Sequence, residues 1–255
     1  MRRLIPVVAV LALSCASRRP PARSRPATPV ATPEAFEPAA MRAPSPTPTP
    51  SALPKDSFES EVKAARSYLE GWFGATITMP PIEVLKPGDL SPELPGHYQE
   101  GVIRLRAETT QKQSELRRVL RHELTHAVID QRTRGNCPHW LQEGMAQFLD
   151  GTDVVSTEKL LRRDPAPLLP LFRIEGPFKD RDTVTRERAY QESASAVSFL
   201  ISRIGRSGIL FLIQRLGEGR QLNQSLVETG LSYTELQQAW ESSIRPLPRP
   251  NQPPF

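Results

Sequence analysis

The sequence predicts an α+β domain, mostly α, in which a small sheet precedes the main helices. Three observations carry this reading. Leu116, Leu120, Leu124 and Val128 recur every fourth residue; two short β-like stretches lie before them; and the chain from Ala189 onward is patterned as helix almost throughout.

Phe58, Val62, Ala65, Leu69 and Trp72 recur at helical spacing and predict a first amphipathic helix that ends near Gly71–Gly74. Extended segments follow near Ile82–Leu85 and Gly101–Arg106. In the second, Ile103 and Leu105 alternate with Arg104 and Arg106, as on a half-buried strand. A strong helix then spans about Ser114 to Arg132, with Gly135 as its stop signal. Trp140–Leu149 is the next helix, with Pro138 at its start and Gly151 just beyond its end. The helical remainder breaks near Gly205–Gly208, Gly217–Gly219 and Gly230.

This domain occupies about residues 55–245. Residues 18–54 hold 11 of the 27 prolines among Ala, Ser and Thr, a composition that buries no core and reads as a flexible to semi-rigid stalk. Residues 246–255 form a second Pro-rich tail. Net charge is +5, but residues 1–50 carry seven arginines against Glu34 and Glu37 and account for all of it. The remainder is electrically balanced and gives no electrostatic case for a nucleic-acid partner.

Residues 1–17 read as an export signal: the basic Met1-Arg2-Arg3, the apolar run Leu4 to Leu13, then Ser14, Cys15, Ala16 and Ser17. Ten residues are too few to span a bilayer, which takes about 20 in a helix. Leu11-Ala12-Leu13-Ser14-Cys15 resembles a bacterial lipobox, which implies lipidation of Cys15 and an envelope protein facing the periplasm or exterior. Ordinary cleavage after Ala16, giving a secreted protein, is the alternative. With Cys15 lipidated or removed, Cys137 has no disulfide partner and reads as a small structural residue.

The chemistry concentrates in His122-Glu123-Leu124-Thr125-His126. Four residues advance a helix by about 400°, so the two imidazoles share a face and can share a metal ion, with Glu123 beside them as general base. A catalytic zinc ion takes three protein ligands and keeps an open position. The third is not a histidine at the metzincin spacing, because Ile129 and Arg132 stand there. Glu143, 17 residues after His126 on the next helix, is the best candidate; a solvated helix face is the alternative. Gln147 and Asp150 share its polar stripe and either orient a ligand histidine or face solvent. His97, in a predicted loop, and His139 read as surface histidines that could line the cleft.

Val119-Leu120-Arg121-His122-Glu123-Leu124-Thr125-His126-Ala127-Val128, followed by Trp140-Leu141-Gln142-Glu143-Gly144-Met145-Ala146, resembles the gluzincin metallopeptidases of the MA-like superfamily. The resemblance extends more weakly over about residues 75–244. It implies a zincin-like fold, zinc (Zn2+) on His122, His126 and Glu143, Glu123 as the base, and a peptide or protein substrate. It also implies that the strand before the zinc helix, Val102–Arg106, pairs with an extended substrate. Tyr190 stands where related folds place an oxyanion donor, although a core anchor is the competing role. The expected function is an exported zinc peptide hydrolase. The alternatives are a non-catalytic envelope lipoprotein on the same scaffold and a zinc amidase acting on a non-peptide or cell-wall amide.

Overall fold

The computed structural model describes residues 54–91, 94–178 and 181–245. The expected leader with Cys15, the Pro-rich segment up to residue 53 and the tail 246–255 lie outside the described residues. The architecture is mostly helical, with one three-stranded sheet ahead of the principal helices, as the sequence predicts.

Helix α1 (Lys55–Phe73) begins after Pro54 and ends at Gly74, whose N–H donates to the Glu70 carbonyl. Its buried stripe, Ala65, Leu69 and Phe73, faces α2 (Gln113–Thr133). One carboxylate fixes the rotation of that pair. Glu61 is buried and accepts from Gln113 at 2.6 Å and from Arg117 at 2.8 Å, both on α2. The Arg117 guanidinium outweighs burial and holds the Glu61 carboxyl below its ordinary range.

The sheet has β1 (Ile82–Leu85), β2 (Gly96–Gln99) and β3 (Val102–Arg106) in the order β1-β3-β2. β1 runs parallel to β3, and β2 pairs antiparallel with it. Strand β2 is not evident in the sequence pattern, because only Tyr98 in it is a strong strand former. The two-residue turn Glu100-Gly101, with φ of 53° and 79°, closes the β2–β3 hairpin. His97 therefore lies in a strand, not in a loop.

This order corrects the substrate-pairing strand. β3 is central and paired on both sides, with no free edge to offer. Its Arg106 N–H donates to Pro95 and its Ile103 N–H to Pro81, so successive residues address opposite neighbours. By the same alternation, Gly96 and Tyr98 of β2 direct their backbone groups away from β3, to the edge beside α2.

Helix α3 (His139–Asp150) packs on α2 and on α5 (Thr183–Gly217). Its approach to α5 depends on Gly144. A Cβ there would lie 2.3 Å from the Ser193 carbonyl oxygen and 2.4 Å from a Val197 methyl. Trp140, Leu141 and Met145 fill the adjoining core, and the Trp140 indole N–H donates to the Tyr233 hydroxyl at 3.0 Å. The Trp-Leu-x-Glu-Gly pattern is thus a packing solution that leaves Glu143 facing α2.

Two helical features escape the sequence pattern. Helix α4 (Val154–Arg163) is ten residues long and buries only Leu161; its apolar residues Val154, Val155, Leu160 and Leu161 form two separate pairs with no i, i+4 repeat. Helix α5 starts six residues before Ala189, capped by Asp182, whose carboxylate accepts from the Thr185 N–H at 3.0 Å. Its first turns are polar and partly exposed. The backbone kinks at Gly205, after which the helix continues to Gly217. Helices α6 (Leu222–Glu228) and α7 (Tyr233–Ile244) complete the domain, α7 with a Ser232–Glu235 capping box.

Candidate metal centre

His122 and His126 stand one turn apart on α2, with ring centroids 4.9 Å apart and ring planes at 72°. Glu143 on α3 meets them from the facing helix. Its Oε2 lies 3.7 Å from the Nε2 of each histidine, and one ligand atom from each of the three residues falls within 4.8 Å of the others. Ligands about 2.0–2.1 Å from a tetrahedral zinc ion sit roughly 3.4 Å from one another. The observed spacing fits a metal of that class.

The carboxylate itself supplies a second test. Glu143 Oε2 is buried and has no hydrogen-bond partner among the described residues, whereas Oε1 lies 3.4 Å from His139 Nε2, one turn earlier on α3. An unpartnered buried carboxylate oxygen is costly unless a cation completes it. Two imidazoles and this oxygen form a donor set suited to a divalent metal.

Asp150, at the far end of α3, lies behind the site with its side chain fully buried. Its Oδ2 is 2.9 Å from His122 Nδ1 and 3.6 Å from Arg118 Nη1. A carboxylate only accepts, so Nδ1 carries the proton and Nε2 turns to the metal position. Of the two readings that the sequence leaves for Asp150, the histidine-orienting one matches the structure. Gln147 instead donates to the Tyr190 carbonyl at 3.0 Å and, among the described residues, makes no hydrogen bond to either histidine.

Charge follows geometry. Burial works against the His122 proton, yet the Asp150 carboxylate, with Glu123 and Glu143, outweighs it and lifts the imidazole to about 9. Burial pushes Glu143 up to about 7 and also raises Glu123. His126 is held well below the usual histidine range by burial and by the neighbouring His122 and His139. The raised pKa of His122 sets a proton in competition with a metal for its imidazole.

A cleft of about 870 Å³ opens over these groups between β2, α2 and the start of α5. Glu123 lies in its wall, where its Oε2 accepts the outward Tyr98 N–H at 2.7 Å. The Tyr98 hydroxyl donates to Asp130 at 2.9 Å and so ties the edge strand to α2. Tyr190 also lines the cleft. Its ring packs edge-on against buried Phe178 at 5.1 Å, and burial lifts its hydroxyl to about 12, keeping it a proton donor. His97 and His139 both reach the cleft. Cys137 lines a separate cavity of about 550 Å³, with Tyr233 and Glu175, and burial raises its thiol.

Sequence reasoning missed Tyr98, because strand β2 is not evident in the pattern. It also missed the pairing of His139 with Glu143, although the four-residue spacing on one helix was a usable signal. Two cleft arginines, Arg118 and Arg186, carried no motif to single them out.

Residues 99–246 match the Peptidase MA superfamily, a stretch running from the end of β2 through α7 and including His122, Glu123, His126 and Glu143. No curated protein and no solved structure gives a significant match. The match covers more than half of the chain and includes the three side chains that converge on the metal position; the protein belongs to the Peptidase MA superfamily.

Proposed function

We propose that the protein is an exported, zinc-dependent peptide hydrolase with Glu123 as its general base. The observation that carries this is Glu143 Oε2, buried, without a hydrogen-bond partner among the described residues, and 3.7 Å from the Nε2 atoms of both His122 and His126. His122, His126 and Glu143 would hold the zinc ion, which supplies Lewis acidity and lowers the pKa of water towards about 7. Glu123 takes the proton of the attacking water and passes it to the leaving amine. The Tyr98 N–H orients the Glu123 carboxylate, and Asp150 fixes the His122 tautomer. The Tyr190 hydroxyl donates to the developing oxyanion. An extended substrate lies along the β2 edge, where the Gly96 backbone groups and the Tyr98 carbonyl point outward.

The test uses full-length protein, its metal content, and hydrolysis of a mixed peptide library. Glu123→Gln keeps about one zinc per chain and loses turnover by about 10²–10⁴-fold. Glu143→Ala loses the metal. Fully folded protein without zinc affinity overturns the site, and metal without hydrolysis of any peptide overturns the peptidase reading in favour of a binding scaffold. Export and anchoring rest on residues 1–17, and Cys15→Ser should move the protein from the membrane fraction to the soluble one.

A further inference from the structure

The charged side chains that line the cleft are unequally satisfied. Glu123 accepts from the Tyr98 N–H, Glu143 lies against three histidines, and Arg118 faces Asp150. Glu187 is exposed and solvated. Arg186 is half-buried, and among the described residues its guanidinium makes no hydrogen bond and no ion pair.

A guanidinium in the wall of a cleft is matched by a carboxylate or by a set of carbonyls. Arg186 has neither. It sits on α5 one turn, about 5.4 Å, before Tyr190, and both side chains line the same wall. Its field reaches that residue, opposing the rise of the Tyr190 hydroxyl pKa. Glu187, the next residue, is turned about 100° around the helix and does not supply the missing partner.

Arg118, on α2, also lines the cleft, but its guanidinium lies 3.6 Å from the Asp150 carboxylate. The proposed zinc site adds no large net field: two positive charges on the metal meet the carboxylates of Glu123 and Glu143. Among the described residues, Arg186 is thus the arginine of the cleft that has no carboxylate beside it, and Glu187 is an exposed acid that lines the same cleft.

We propose that Arg186 is a specificity-determining residue that holds a substrate carboxylate next to the scissile bond, so that the cleft prefers acidic peptides. A guanidinium fork matches a carboxylate with two parallel N–H donors, and a site built for that pairing discriminates against the uncharged amide. The carboxylate comes from an Asp or Glu side chain or from the free C-terminus of a short peptide; both present the same two oxygens to the same fork. This inference rests on the proposed peptidase reading and names the substrate class of that site.

The experiment uses zinc-loaded, full-length protein and matched peptides. One set differs by Glu against Gln at each position flanking the cleaved bond, and the other by a free C-terminal acid against its amide. The ratio of kcat/KM for acid over amide should be about tenfold or more in one set, which identifies the source of the carboxylate. Arg186→Ala should bring that ratio close to one, Arg186→Lys should retain part of it, and Arg186→Glu should favour a Lys-bearing peptide. The same peptides are titrated by fluorescence anisotropy into zinc-loaded Glu123→Gln protein, where binding is read without turnover.

If no peptide is cleaved, the peptidase reading fails, and the anisotropy titrations still decide the carboxylate preference. If peptides are cleaved or bound with acid and amide forms equal, or if the ratio survives Arg186→Ala, the Arg186 inference fails while the peptidase reading stands.

Discussion

His122 Nδ1 and Asp150 Oδ2 lie 2.9 Å apart, joining the first histidine of the motif to a carboxylate 28 residues away at the end of the next helix. This contact makes α2 and α3 one unit of the site. Glu143 faces the front of the histidine pair and Asp150 the back. Replacing Asp150 with Asn keeps the shape but removes the charge that stabilises the Nδ1 proton. Zinc affinity of Asp150→Asn, measured against a competing chelator, should fall about 10–100-fold. Unchanged affinity would show that α2 alone orients the imidazole.

The close approach at Gly144 gives a separate prediction. An added methyl group meets backbone at 2.3 Å, which no rotamer relieves. Gly144→Ala should destabilise the fold by about 1–3 kcal/mol and weaken zinc binding, because α3 must shift and carry Glu143 with it. Gly71, on the exposed face of α1, has nothing within 4 Å of an added Cβ. Gly71→Ala should therefore stabilise by about 0.5–1 kcal/mol and leave zinc binding alone. Chemical denaturation of both variants checks the contrast. Equal effects would mean that the helix–helix distance is not set by Gly144.

The legibility of the sequence differed by kind of contact. Helical periodicity exposed α2 and α3 because their buried stripes are continuous, and the donor side chains lie at fixed offsets on those stripes. Strand β2 gave no such signal, since its four residues include Gly96, His97 and Gln99 and only its pairing with β3 makes it a strand. The hydrogen bond from the Tyr98 backbone to Glu123 was hidden for the same reason: it depends on an edge strand whose position comes from tertiary packing. Helix α4 escaped because its apolar residues fall in two separate pairs, Val154-Val155 and Leu160-Leu161, with no i, i+4 repeat, and the start of α5 escaped because its first turns are polar.

Tyr98 links the edge strand to α2 through Asp130, apart from the metal position. Tyr98→Phe removes that hydrogen bond and keeps the ring, so it should cost about 1 kcal/mol of stability. The backbone N–H to Glu123 survives the substitution, and zinc content should be unchanged. The informative readout is kcat against KM for any cleaved peptide. Loosening the edge strand should raise KM more than it lowers kcat, and the opposite split would place Tyr98 in the chemistry rather than in substrate positioning.

The protonation of the site predicts opposite pH trends for metal-free and zinc-loaded protein. His122 is raised from an ordinary 6.5 to about 9, and Glu143 from 4.5 to about 7. A group raised on folding contributes stability that is present at low pH and lost as pH climbs through its folded value. Glu143 therefore loses its contribution between about 4.5 and 7, and His122 between about 6.5 and 9. His126 runs the other way, because its pKa is depressed; its contribution is present above 6.5 and lost as pH falls. From pH 7 to 9 His126 is neutral in folded and unfolded chains alike, so the His122 trend dominates at this site. The Tm of metal-free protein should fall across that interval. Zinc requires the deprotonated ligand set, so its affinity, and the increase in Tm that it produces, should grow over the same interval. Calorimetry at both pH values, with zinc and with chelator, reads the two trends together. A zinc-induced increase in Tm that shrank towards pH 9 would show that His122 carries no proton for the metal to displace.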